Sequence, residues 1–171
     1  MRSMGDMEAF RRVCAEAVAI LDSSLGMRAC GMVVSGAGTP RFMCDESPFD
    51  LTRRSLVSPM MSIMGYGDPD YIPICDTEEG GTFLAIVPMN RPLDDTLRQT
   101  MMQMRRNRVR CGISTDGFTW ILLSYGSFGP RVGFVSNLRP YYIEALDGSR
   151  FRASVPCDTE DAERFMEMFS R

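Results

Sequence analysis

Apolar positions recur along the chain with two periods, one of three to four residues and one of two. The switches between them mark out helices and strands. Met7, Phe10, Cys14, Val18 and Leu21 share a helical face, with Ser3 placed to cap its start and Gly26 just past its end. The apolar run Ala29 to Val34 predicts a strand, which Ser35-Gly-Ala-Gly38 turns toward a short strand at Pro40 to Cys44. Phe49, Leu56, Met60 and Met64 line a second helix between Pro48 and Gly65. Strands at Asp70 to Cys75 and Thr82 to Val87 come next, joined as a hairpin by the acidic, glycine-ended loop 76–81. Leu93, Leu97, Met101 and Met104 predict a third helix from Leu93 to about Asn107, preceded by Pro92 and opened by Asp94 and Asp95. Val109 to Ser114 and Phe118 to Ser124 read as strands around the Thr115-Asp-Gly117 turn. After the glycine-rich stretch Tyr125 to Pro130, strands are expected at Arg131 to Val135, Tyr141 to Leu146 and Arg150 to Val155, the last two around Asp147-Gly148. A closing helix capped at Asp158 buries Ala162, Phe165, Met166 and Phe169.

This order predicts a single domain over residues 1–171, α/β (α+β) in class, with a central mixed β-sheet flanked by helices. Residues 1–45 form a helix-and-hairpin extension, 46–124 the core, and 125–171 a β-meander with a closing helix. A chain of 171 residues, 44% hydrophobic and 24% charged with a net charge of -3, buries a real core and is globular rather than disordered. Its 15 methionines mostly fall on the apolar faces, which reads as adaptable core filler rather than a metal site. No apolar stretch approaches a membrane span and the N-terminus lacks a signal peptide's apolar centre, so the expectation is a cytoplasmic protein with no membrane partner. Cysteines at 14, 30, 44, 75, 111 and 157 include no Cys-x-x-Cys pair, and buried reduced thiols are expected over disulfides or a structural zinc.

The sequence contains neither lysine nor histidine, so all 19 basic residues are arginine. Imidazole bases, Ser-His and Cys-His pairs and histidine metal ligands are thereby excluded, as are Schiff bases and phosphate-loop lysines. Carboxylate chemistry, thiol chemistry and binding remain. Arginine's planar, permanently charged fork suits phosphate and carboxylate, although mild overall acidity argues against a bulk nucleic-acid binder.

From Asp50 to Leu123 the words themselves carry a resemblance. The chain reads Leu-Thr-Arg-Arg-Ser-Leu-Val-Ser-Pro-Met-Met-Ser-Ile-Met-Gly-Tyr, Asp-Pro-Asp-Tyr, Thr-Phe-Leu-Ala-Ile-Val, Pro-Leu-Asp-Asp-Thr-Leu-Arg-Gln, and Val-Arg-Cys-Gly-Ile-Ser-Thr-Asp-Gly-Phe-Thr-Trp-Ile-Leu-Leu. In their order these resemble the nuclease-like N-terminal domain of type I restriction enzyme R subunits, within the PD-(D/E)XK superfamily. The resemblance implies a restriction-endonuclease-like core with additional C-terminal strands. It also implies an aspartate on one core strand and a Glu-x-Lys on the next, which hold magnesium and place the attacking water.

Asp70 stands where that aspartate belongs, but the next strand, Phe83-Leu-Ala-Ile-Val87, has neither glutamate nor lysine, and Asn90 and Arg91 are the only polar neighbours. The resemblance thus implies a vestigial Asp70, no metal site and no cofactor. Gln99 occupies the place of a glutamine that faces the active site in this family, with Gln103 one turn on; a retained pocket role and plain surface glutamines both stand open. Arg105, Arg106, Arg108 and Arg110 crowd the end of the third helix, and Arg53 and Arg54 lie on the second. These six are the candidate nucleic-acid contacts.

The expected function is a non-catalytic nuclease-like module that binds DNA or a protein partner, in restriction, defence or mobile-element biology. One alternative is a magnesium-dependent nuclease that uses Asp70, Asp50 or Glu46 with a migrated carboxylate such as Glu78 or Glu79. Another is a protein-interaction or oligomerisation module that pairs through an exposed edge strand.

Overall fold

The computed structural model describes residues 4–38, 44–66, 82–150 and 157–170. The expected strand at 70–75, the loop 76–81, most of the short strand at 40–44 and residues 151–155 of the last predicted strand lie outside them, as does Ser3.

Helix α1 spans Met4–Leu25 and buries the predicted face, with Phe10, Cys14, Val18 and Leu21 at most 2% exposed. Gly26, at φ 85, breaks the axis in a conformation that favours glycine. The first expected strand is corrected at this point: Met27–Ser35 is a helix, α2. A six-residue apolar run fits either element, and here Cys30, Val33 and Val34 bury at helical spacing. The end of α2 is secured from afar, because the Arg139 guanidinium donates to the Val33 and Val34 carbonyls while lying 4.3 Å over the Phe118 ring.

The second helix is continuous but not uniform. Helix α3, Pro48–Thr52, passes through a π-helical turn at Arg53–Val57 into α4, Ser58–Ile63. Pro59 has no N–H and its ring crowds the carbonyl four residues back; the register widens just before it, with the Ser58 N–H bonded to the Arg53 carbonyl. The extra residue rotates the buried face, so Leu51, Leu56, Val57, Met60, Met61 and Met64 are buried while Phe49 is exposed.

Strand β1, Thr82–Ile86, leads through helix α5, Asp94–Asn107, into the parallel strand β2, Cys111–Thr115. Strands β3, Thr119–Gly126, and β4, Gly129–Asn137, then add as antiparallel neighbours, giving a four-stranded mixed sheet in the order β1-β2-β3-β4. In the turn between β2 and β3, Asp116 accepts hydrogen bonds from the Phe118 and Thr119 amides at 2.9 and 2.8 Å.

The C-terminal β-meander is also corrected. Tyr141 to Leu146 lies in a helix, α6, Arg139–Arg150, which includes Asp147-Gly148 in its last turns. Asn137 accepts from the Arg139 amide and Pro140 comes directly after, which is helix-start chemistry. Helix α7, Glu160–Phe169, buries the four residues expected of it.

The sheet separates two apolar layers, because successive strand residues face opposite sides. Ile113, Trp120 and Phe134 join the main core with α1, α3, α4, α6 and α7, where Trp120 meets Phe165 and Phe169 edge-on at 5.4 and 6.1 Å. Ile121 and Leu123 face the other way, into a small cluster with Met104, Leu97 and Met101 of α5.

Candidate nucleic-acid interface

Helix α5 ends in a Schellman motif. The Val109 amide donates back to the Met104 carbonyl at 3.0 Å, and the Arg108 amide to the Arg105 carbonyl at 3.4 Å. Both Val109 and Met104 are buried, pinning the turn to the sheet. The residue in the left-handed position is Arg108, at φ 55 and ψ 33, the one non-glycine with positive φ among the described residues.

From that turn the chain enters β2 beside the far end of the β3–β4 hairpin. The Tyr125 amide donates to the Arg110 carbonyl at 3.2 Å, which locks the two segments together. Arg108, Arg110, Ser124 and Tyr125 line an open groove of about 560 Å³. Two further arginines lie on the hairpin. The Arg105 guanidinium passes over Gly129, where a Cβ would sit 2.9 Å from it, and Arg131 lies against Gly126. Gly129 therefore serves twice, through its φ of 116 and through the space it leaves. The hairpin tip presents Phe128, 98% exposed, and Tyr125, 43% exposed.

Some of the other described arginines are paired, whereas Arg28, Arg91 and Arg98 have no described carboxylate partner. Arg11 pairs with Glu144, Arg54 with Glu46, Arg150 with Asp22 and Arg164 with Glu160. By contrast Arg105, Arg106, Arg108, Arg110 and Arg131 pair with no described carboxylate. The cause is visible in the sequence: residues 96–143 hold seven arginines and one carboxylate, Asp116, a net of +6, while the rest of the chain holds twelve arginines and twenty-one carboxylates. The overall charge of -3 hides this segregation.

The six candidate arginines are not one surface. Arg105, Arg108 and Arg110 meet at the groove and hairpin, and Arg106 is exposed beside them. Arg53 and Arg54 ride on the π turn, whose Leu56 packs by Gly117 in the main core, so they belong to the layer across the sheet from α5. Arg54 is held by Glu46 at 2.7 Å, and that hydrogen bond keeps the Glu46 carboxyl below its ordinary range. Asp50 is engaged with Ser47 in the cap of α3. Gln99 is exposed and Gln103 half-buried, and neither lines the groove. Asp70, Glu78 and Glu79 lie outside the described residues, among which no His, Cys, Asp or Glu cluster could hold a metal ion.

A second cavity, about 420 Å³, lies between α1 and α6 against Arg11, Cys14, Tyr141 and Glu144. Burial pushes the Cys14 thiol up to about 12, and burial likewise raises Cys30 and Cys157 to about 11. At neutral pH these thiols stay protonated and are poor nucleophiles. Cys14, Cys30, Cys44 and Cys157 are free thiols.

No family model, curated protein or solved structure matches the chain.

Arg105, Arg108 and Arg110 were legible in the sequence as a cluster, whereas Arg131, Tyr125 and Phe128 were not. The acid-poor stretch from 96 to 143 includes all three and was the signal that could have found them.

Proposed function

We propose that the chain is a non-catalytic, nuclease-like module that binds nucleic acid through the end of α5 and the β3–β4 hairpin. The observation that carries this is the convergence on one groove of arginines that pair with no carboxylate among the described residues, in the acid-poor third of an otherwise acidic chain. Guanidiniums that pair with no described carboxylate keep their donors for phosphate oxygens, and fixed backbone turns hold them in place. The parallel β1–α5–β2 unit, with its neighbouring strand bearing Trp120, supports the nuclease-like frame that the sequence words imply.

The test is DNA binding measured against salt. Arg108→Gln with Arg110→Gln should weaken binding similarly across unrelated sequences and flatten the log-affinity versus log-salt slope by about 0.7–0.9 per lost phosphate contact. Arg164→Gln, on the exposed side of α7, should leave both unchanged. Equal slopes for parent and double variant would overturn the reading. A protein partner would then lead, since β4 is an edge strand of the described sheet with Val132 and Val135 exposed.

A further inference from the structure

Resting on that reading, we infer that the nucleic acid is single-stranded, with unpaired bases stacked on Tyr125 and Phe128 while Arg105, Arg108 and Arg110 hold its phosphates. Scattered apolar residues on a surface need no explanation. These two rings are not scattered. Tyr125 forms a wall of the groove that Arg108 and Arg110 also line, and Phe128 stands at the tip of the same hairpin. Arg105 of α5 lies against Gly129, which closes that tip. Rings and guanidiniums therefore lie together at one end of the hairpin, which serves a strand that offers both bases and phosphates.

A duplex would use only half of this surface. Its bases are stacked inside the helix, so the arginines would meet phosphate while Phe128 and Tyr125 met no base face, unless one ring were driven between base pairs as a wedge. A single strand offers both partners at once. Stacking tolerates any base, because each has a π face, so recognition should be largely independent of sequence. The hairpin adds to this: Tyr125 sits on a paired ribbon tied to Arg110 through its amide and Phe128 in the two-residue turn that closes it, so little backbone freedom is lost when bases dock.

The experiment compares a labelled oligothymidylate with a blunt duplex of equal length, each titrated with the full chain across a salt series. The single strand should bind more tightly. Tyr125→Leu with Phe128→Leu should weaken it by roughly 5- to 100-fold and leave duplex binding and the salt slope as they were. Phe128→Trp should retain affinity and lose indole fluorescence as bases stack on it. Equal parent affinity for the two forms, or aromatic variants that lose nothing or lose the duplex equally, would overturn the stacking inference while the phosphate reading stands. Absence of salt-dependent binding to either form would overturn both.

Discussion

Arg108 occupies the left-handed region, where the Cβ of an L-residue crowds the following carbonyl at a cost of roughly 1–2 kcal/mol. Glycine is the usual occupant of this place in a Schellman turn. Arg108→Gly should therefore stabilise the fold by about 0.5–1 kcal/mol, the relief being partly offset by the greater freedom glycine gives the unfolded chain. The check is a higher urea midpoint at unchanged slope. If the groove binds phosphate, the same variant should bind nucleic acid more weakly. A gain in stability joined to a loss of binding separates a residue kept for contact from one kept for folding.

Among the elements, α7 shows how burial rather than residue type sets the consequence of a change. Phe165 is fully buried against Phe10, Trp120 and Phe169, whereas Phe128 stands in solvent on its hairpin. Phe165→Ala should destabilise by about 3–5 kcal/mol through lost burial and the cavity left behind. Phe128→Ala should stay within about 0.5 kcal/mol of the parent. Thermal or urea unfolding of the two variants checks the contrast. Helix α7 was legible because Ala162, Phe165, Met166 and Phe169 repeat at helical spacing within acidic residues. The reading of α6 as a strand failed for an equally specific reason. Tyr141, Tyr142 and Leu146 bury at intervals that suit a helix, but Asp147-Gly148 imitates a hairpin turn and outweighed the Asn137 and Pro140 start signals.

Across the whole molecule, Glu144 joins both ends of the chain. From α6 it pairs with Arg11 of α1 and accepts the Cys157 amide at 2.8 Å. Burial alone pushes its carboxyl up, but the Cys157 amide and thiol and the Arg11 charge outweigh it and hold the group below its ordinary value of 4.5. A carboxyl lowered by folding contributes stability above its unfolded value, and that contribution disappears as pH falls through the folded value. Glu144→Gln should lower stability at neutral pH and remove part of the acid-induced loss that begins near pH 4.5. Denaturation midpoints of parent and variant at neutral and acid pH measure it. Glu46 titrates in the same direction, so the difference between the two proteins is the informative quantity.

By itself the sequence determined the elements whose signals are local: α1, the α3–α4 helix, β1, α5, β2, β3, β4 and α7, each marked by its apolar pattern or by a turn such as Thr115-Asp-Gly117. It also determined the chemistry, since a chain with arginine as its only base can grip anions but cannot supply an imidazole or a lysine amine. Tertiary structure decided the rest. The run Ala29 to Val34 fits helix or strand by itself; in the packed molecule Cys30, Val33 and Val34 bury at helical spacing, and Arg139, more than a hundred residues away, bonds the helix end. Which arginines form a surface depended on where Arg110 meets Tyr125, and on which layer of the sheet the π turn carries Arg53 and Arg54. Periodicity reports the face a residue turns toward its own element; which distant residue lies opposite is set by how the elements pack.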